Sequence, residues 1–421
     1  MKRFALKALP AIPLLVAAFS AQALTPGSGT WVKETATYGT PNLQDAYVYV
    51  PSNAAPAVKN GKRALMLTLH GCVQTASGNV ISNKYNWEKT AEQYGMVVIA
   101  PTVPTGTSST RTVSGCWDWF GSNHTRSTRD EGVLLKLIDS VKARANLDID
   151  PNQIYVTGLS SGGGVAADLA CVAPDYFAGA GLAAAPVFNT PSNAGLGSKN
   201  AQTPSQIAAN CKAAAGSYAS AFATQITSVV NGTQDTFVDP THDQGNEDGM
   251  KALYGATTSA GTFTETNSSG RLWSDASGKV RVSRVEASGM AHAWPAGSGG
   301  SGGGTYVDYT HVNYPAYVTK FFFDNNLRVA GGGTPGTTTT TTAGSGTTTT
   351  TSTTTTTTAP PSGSCFKATN YAHVLAGRAR DVWGFAYANG SNQFMGMDGI
   401  FFTTKLRMTG ANTYVVDSSC P

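Results

Sequence analysis

The amino-acid sequence predicts an α/β fold: a mostly parallel sheet with helices on both faces, followed by a small β-rich module. Three observations predict it. Short apolar runs alternate with amphipathic stretches between residues 24 and 330, the pattern of strand–helix–strand units in a parallel sheet. Residues 331–364 are all Thr, Gly, Ser, Pro or Ala, 18 of the 34 being Thr, so this segment cannot build a core and reads as a linker. Beyond it lie 57 residues framed by Cys365 and Cys420, near the lower size limit for a stable core and therefore in need of a staple.

Within the large region, ALMLTL (64–69) is a buried-strand run. KYNWEKTAEQYG (84–95) has helical spacing and stops at Gly. MVVIAP (96–101) reads as a second strand ended by Pro101. DEGVLLKLIDSVKARAN (130–146) is amphipathic, with acids at its start and bases at its end, as the helix dipole favours. QIYVTG (153–158), ITSVVNG (226–232) and VRVSRVEA (280–287) are further strands, and PAYVTKFFFDNN (315–326) a closing helix. At 307 residues, 24–330 can bury about three quarters of its unfolded surface.

MKRFALK followed by LPAIPLLVAAFSAQA has a basic start, an apolar stretch and the small-x-small site Ala21-Gln22-Ala23. It reads as a secretory signal peptide spanning 1–23, which places the mature chain outside the cell. The formal charge is +4; removing Lys2, Arg3 and Lys7 leaves +4 − 3 = +1, which excludes a broad basic nucleic-acid footprint. After the leader no run of 18 apolar residues occurs, so no membrane span is expected. Six cysteines in an oxidising compartment should be paired. The linker isolates Cys365 with Cys420, leaving three ways to join the other four; the favoured pairs are Cys72–Cys116, which would pin the loop at Cys72 to GCWDWFG, and Cys171–Cys211.

The chemistry is carried by Gly158-Leu159-Ser160-Ser161-Gly162, which follows the strand QIYVT and precedes GGVAADLAC. A G-x-S-x-G between strand and helix lifts its serine above the sheet edge, in the manner of an α/β-hydrolase nucleophile elbow. The alternative is a glycine-rich turn with Ser160 as a helix cap. Ser160 is favoured over Ser161 by the spacing of the glycines. A serine nucleophile needs an acid and then a base further along the chain. His292, in SGMAHAWP after VRVSRVEA, is the expected base, and His311 a structural or surface histidine. Asp235, ending ITSVVNGTQD, is the expected acid; Asp239, Asp243 and Asp248 compete for the role. The oxyanion donors are expected to be the N–H groups of Cys72 and Ser161, with His70 and Gly71 shaping the loop after the first buried strand. One such donor is worth about 3–4 kcal/mol in the transition state.

LHGCVQTA, GCWDWFG, DPNQIYVTGLSSGG, NGTQD and GMAHAWP resemble the secreted poly(3-hydroxybutyrate) depolymerases of bacteria, and the resemblance spans nearly the whole mature chain. It implies a serine esterase with Ser160, Asp235 and His292 as its triad and His70-Gly71-Cys72 as its oxyanion segment. Its partner would be an insoluble polyester, attacked through an acyl-enzyme by a monomer that needs no metal or organic cofactor. These motifs are shared with feruloyl and acetylxylan esterases, so a polysaccharide-directed esterase with a carbohydrate-binding module is the alternative. GSGGSGGG (297–304) has no counterpart in the resemblance. Trp117, Trp119 and Trp294 are expected to line the cleft, a core position being the alternative for the first two. NYAHVLAGRA and YANGS resemble the substrate-binding domain of the same enzymes. There Tyr371, Trp383, Phe385, Tyr387 and Phe394 are candidates for apolar adsorption, and His373 and Arg378 are candidate donors to ester carbonyls or structural residues.

Overall fold

The computed structural model describes residues 24–104, 115–192, 197–329, 363–370, 373, 376–382, 385–397 and 403–420. The leader, most of the Thr-rich segment, Tyr371 and Trp383 lie outside these. The chain divides into two compact units, Met1–Gly336 and Thr337–Pro421.

The large unit is built on one ten-stranded sheet. Its strands are β1 (Trp31–Lys33), β2 (Leu43–Tyr49), β3 (Arg63–Leu69), β4 (Val97–Pro104), β5 (Ile149–Leu159), β6 (Gly179–Ala183), β7 (Ile226–Gly232), β8 (Thr258–Glu265), β9 (Ser268–Ser274) and β10 (Val280–Ala287), in the spatial order β1-β2-β4-β3-β5-β6-β7-β10-β9-β8. The six central strands, β4 to β10, run parallel, with antiparallel β1–β2 and β9–β8 at the two edges. Nearly every residue of β3, β4 and β7 is buried, as strands covered on both faces require.

The covering helices are α1 (Glu88–Tyr94), α2 (Arg129–Lys142), α3 (Ser161–Val172), α4 (Pro204–Ala215), α5 (Pro240–Tyr254) and α6 (Tyr314–Asn325). Two apolar cores result, one containing Leu67, Ile99 and Val156, the other Met66, Val98 and Tyr155; this alternation along β3, β4 and β5 is the two-residue period of strands facing two helix layers. Contrary to the sequence expectation, β4 runs past Pro101 to Pro104. Its ladder to β3 ends at Ile99, and beyond that only β2 pairs with it, so missing proline N–H groups interrupt no central ladder.

Because β3 lies between β4 and β5, the chain leaves β3 in one direction and later enters β5 on the other side. The crevice outside the carboxyl ends of β3 and β5 is therefore the switch point at which sheets of this kind bind ligands. No described helix is long and apolar enough to cross a membrane.

The second unit holds two antiparallel three-stranded sheets. One is formed by β13 (Cys365–Thr369), β17 (Thr403–Gly410) and β18 (Thr413–Val416), the other by β14 (Ala379–Val382), β15 (Phe385–Ala388) and β16 (Phe394–Met397); β11 (Trp294–Pro295) and β12 (Val307–Asp308) form a short pair in the large unit. Among the described residues the module's apolar core cluster is small, Ala388, Leu406, Met408 and Tyr414, and Cys365–Cys420 closes the segment.

Candidate active site

Ser160 follows β5 directly and heads α3. Its backbone is at φ 57°, ψ −119°, a region that costs a non-glycine residue of order 1–3 kcal/mol and persists only where the surroundings enforce it. The motif's glycines provide that enforcement. A Cβ on Gly158 would lie 2.3 Å from the Gly162 carbonyl oxygen, and one on Gly162 would lie 2.4 Å from that of His70. The turn thus closes only without side chains at either flank, and it sets β5 tightly against the loop after β3. The Ser160 N–H donates to Ala183 O at 2.9 Å. Ser161, as the first residue of α3, has no carbonyl one turn back within the helix, so its N–H points out of the helix start.

Asp235 lies in the loop after β7 and His292 in the loop after β10. The two loops meet closely: a Cβ on Gly232 would lie 2.1 Å from Met290 O. Asp235 Oδ1 accepts from the N–H groups of Phe237 and Val238, at 2.9 and 3.0 Å. Its Oδ2 is 2.7 Å from His292 Nδ1. With Asp235 buried, this bond selects the Nδ1–H tautomer and leaves Nε2 free to accept a proton. The competing acids are engaged elsewhere. Asp239 caps α5 through Thr241 N–H, Asp248 pairs with Lys251, and Asp243 accepts from Ala185 N–H while burial pushes its carboxyl up to about 8. His311 is held by Asp308 and Ser288 O.

The loop after β3 is fixed by buried polar groups. His70 Nε2 accepts from Val103 N–H at 3.2 Å, so Nδ1 carries the proton and donates to Gly71 O at 2.7 Å. Burial pushes the imidazole down to about 4, which keeps it neutral: it shapes the loop and is not placed to relay protons. Gln74, which the sequence analysis did not single out, accepts from Gly71 N–H at 2.7 Å and donates to Thr305 O at 2.7 Å, while Tyr85 OH donates to it at 2.6 Å. Cys72 is joined to Cys116, and Cys171 to Cys211.

Trp117 and Trp119 take the core alternative, at 0% and 1% exposure, and the expectation that Trp294 lines the cleft is corrected by its burial, at 0%. Trp117 Nε1 donates to His70 O at 2.9 Å, behind the oxyanion loop. Trp119 packs on Gly164 of α3. Trp294 stacks on Tyr85 at 4.7 Å. These rings brace the site from behind. The side chains exposed at its mouth are Phe237 and Val73, at 56% and 60%; Val73 adjoins Cys72, and Phe237 lies against the His292 ring at 5.5 Å. Nothing in their spacing marks them, because exposure is decided by loop packing.

In the module, His373 is likewise corrected as an ester-carbonyl donor. It is fully buried, with Nε2 donating to Thr404 O and Nδ1 accepting from Arg378 Nε. The Arg378 guanidinium lies over the Phe366 ring, so the pair ties the module together. Phe394 is 58% exposed and contacts Tyr387 at 5.5 Å.

A further cluster was not anticipated. His124, Glu131 and Asp168 place ligand-type atoms within 4.8 Å of one another. His124 Nε2 accepts from Arg129, so Nδ1 donates to Glu131 at 2.6 Å; both imidazole nitrogens are committed. Burial and the neighbouring Glu131 hold the Asp168 carboxyl well above the usual range. The His124–Glu131 bond ties Glu131 of α2 to the preceding loop, with the buried Asp168 of α3 beside it.

Sheet, crevice and elbow together define an α/β-hydrolase-type esterase. Residues 46–247 match the family described as esterase PHB depolymerase. Over 98% of this chain and 98% of the relative, the sequence is 38% identical to a poly(3-hydroxybutyrate) depolymerase of Ralstonia pickettii. A poly(3-hydroxyalkanoate) depolymerase C of Paucimonas lemoignei is 32% identical over 40% of this chain and 37% of its own length. The acetyl xylan esterase structure from Aspergillus awamori shares the fold at a TM-score of 0.51 and 20% identity, covering 62% of this chain and 94% of that one. The chain belongs to the poly(3-hydroxybutyrate) depolymerase family and is a carboxylic ester hydrolase.

Proposed function

We propose that the protein is a secreted depolymerase that cleaves poly(3-hydroxybutyrate)-type polyesters through an acyl-enzyme, with Ser160 as nucleophile, His292 as base and Asp235 as its orienting acid. The observation that carries the reading is the 2.7 Å bond between His292 Nδ1 and Asp235 Oδ2, at the same sheet edge as the strained Ser160. Ser160 Oγ attacks the ester carbonyl as its proton passes to His292 Nε2. The carbonyl oxygen gains charge and is stabilised by the N–H groups of Cys72 and Ser161. On collapse, the C–O bond to the alcohol side breaks and His292 gives its proton to the departing oxygen. A water then loses its proton to His292 and attacks the acyl-enzyme; as the bond from the carbonyl carbon to Ser160 Oγ breaks, His292 returns that proton to Ser160 Oγ and the carboxyl product is freed. Asp235 holds the imidazole and stabilises its charged form throughout.

In this reading residues 1–23 are removed on export, 331–364 form a tether, and 365–421 adsorb to the solid substrate, with a single chain sufficing. Support comes from the near full-length relative, whose name states that polyester. The test is Ser160→Ala. It should lose nearly all hydrolysis of polyester granules while still binding them in preference to cellulose and xylan. Retained hydrolysis would remove the nucleophile assignment, and preferential binding to xylan would favour a polysaccharide esterase.

A further inference from the structure

We propose that Phe237 and Tyr306 form the subsite for the hydroxyacid unit on the alcohol side of the scissile ester, an inference that rests on the Ser160–His292 reading above. The two rings and the His292 imidazole form a mutual cluster. Phe237 lies 5.5 Å from His292, Tyr306 5.7 Å from His292 edge-on, and Phe237 5.6 Å from Tyr306 edge-on. His292 delivers its proton to the departing alcohol oxygen. The carbon bonded to that oxygen must therefore come against whatever surrounds the imidazole, and here that is two aromatic rings. In poly(3-hydroxybutyrate) this carbon bears a methyl group and a methylene, both apolar, and their burial against ring carbon is favourable.

Exposure and backbone point the same way. Phe237 is 56% exposed at the mouth of the site, where a large apolar ring gains little from the fold itself. Its position is nevertheless set, because its N–H is bound by Asp235. Tyr306 sits at φ 57°, a strained region for a bulky side chain. It is held there from both sides: Thr305 O accepts from Gln74, and Tyr306 O accepts from Trp294 N–H at 2.9 Å. The glycine-rich segment 297–304 thus ends in a ring presented to the base, and the same Gln74 that fixes the oxyanion loop fixes the ring.

The experiment compares two soluble substrates with the same acyl unit on the full-length protein: the linear dimer of (R)-3-hydroxybutyrate, whose leaving group is a hydroxybutyrate unit, and methyl (R)-3-hydroxybutyrate, whose leaving group is methanol. Phe237→Ala should lower the dimer-to-methyl-ester ratio of kcat/KM by about tenfold, the factor for roughly 1.4 kcal/mol of lost contact. Phe237→Leu should recover most of that ratio, and Tyr306→Leu should lower it less. An equal fall on both esters would overturn the proposal and make Phe237 a positioning residue for His292; an unchanged ratio would overturn it as well. Ser160→Ala, run alongside, tests the underlying reading separately, since its loss on both esters is independent of the ratio.

Discussion

In the large unit the side chains proposed to react are almost enclosed, Ser160 at 5% and His292 at 8% exposure; His292 is held by Asp235, and the Ser160 backbone by Ala183 O. Among the described residues of the C-terminal module, Phe394 is the most exposed aromatic ring, at 58%, and the apolar core cluster is small: Ala388, Leu406, Met408 and Tyr414. One region spends a ten-stranded sheet on fixing a few atoms. The other stabilises little more than itself and presents area. Ester cleavage needs donors and a base aligned within fractions of an ångström, whereas adsorption to a solid needs contact repeated over many orientations. In the proposed reading, precision and contact sit in separate units of the chain, with 331–364 expected from its composition to be the linker.

A substitution beside His292 should cost most. Asp235→Asn keeps the shape but reverses the tautomer preference of His292, and kcat on a soluble ester should fall by about 10⁴. A fall of that size for Asp239→Asn with the fold intact, read by steady-state kinetics and circular dichroism, would show that the acid had been misassigned.

Removing the adsorbing region comes next. A chain ended near residue 330 should hydrolyse a short p-nitrophenyl ester at close to the full rate. On solid polyester it should lose most of its activity, by about tenfold or more, because the tether raises the local concentration of substrate. Granule binding by the full chain should survive high salt, since apolar contact is not screened. A truncated chain that erodes the solid at full rate would erase the division between the units.

Gln74 joins Gly71 N–H, Tyr85 OH and Thr305 O. Gln74→Ala should leave Ser160 and His292 in place but let the oxyanion loop relax, costing about 10² in kcat, on the scale of a lost oxyanion donor. Gln74→Glu keeps an acceptor for Gly71 but sets a carboxylate against a carbonyl, and should fall between the wild type and Gln74→Ala. A KM effect without a kcat effect in either variant would remove this role.

Much of the large unit was legible because its signals are local. Strand ITSVVNG and strand VRVSRVEA have the bounds read from their sequences, since both are rich in β-branched residues and run into turn-forming Gly or Ser. The elbow was legible because two glycines and a serine must stand at fixed spacing to close it. The roles of Trp117, Trp119 and Trp294 were not legible: a ring behind a loop and a ring in front of it have the same local sequence. Gln74 and Thr305 are 231 residues apart, a contact that only the folded topology creates. In the module, the short strands and the disulfide were readable, but the inward turn of His373 was not. A polar residue among aromatics reads as a surface donor until its hydrogen bonds are seen.

The smallest effect at neutral pH, and the one that separates positioning from chemistry, concerns His70. Burial lowers its imidazole from 6.5 to about 4 in the folded protein. Between those values the unfolded chain binds a proton that the native state does not, so stability rises with pH across this window. The contribution is fully present above about pH 6.5 and lost as pH falls through the folded value near 4. His70→Gln retains an acceptor near the Nε2 position for Val103 N–H but cannot titrate. It should change the unfolding free energy little at pH 7, and it should remove a few kcal/mol of the loss between pH 6.5 and pH 4, at about 1.4 kcal/mol per pH unit. Urea unfolding of both proteins across that range measures this directly. Parallel stability curves would show that His70 is not a neutral brace, and a large kcat loss in His70→Gln at pH 7 would assign the imidazole itself to the reaction.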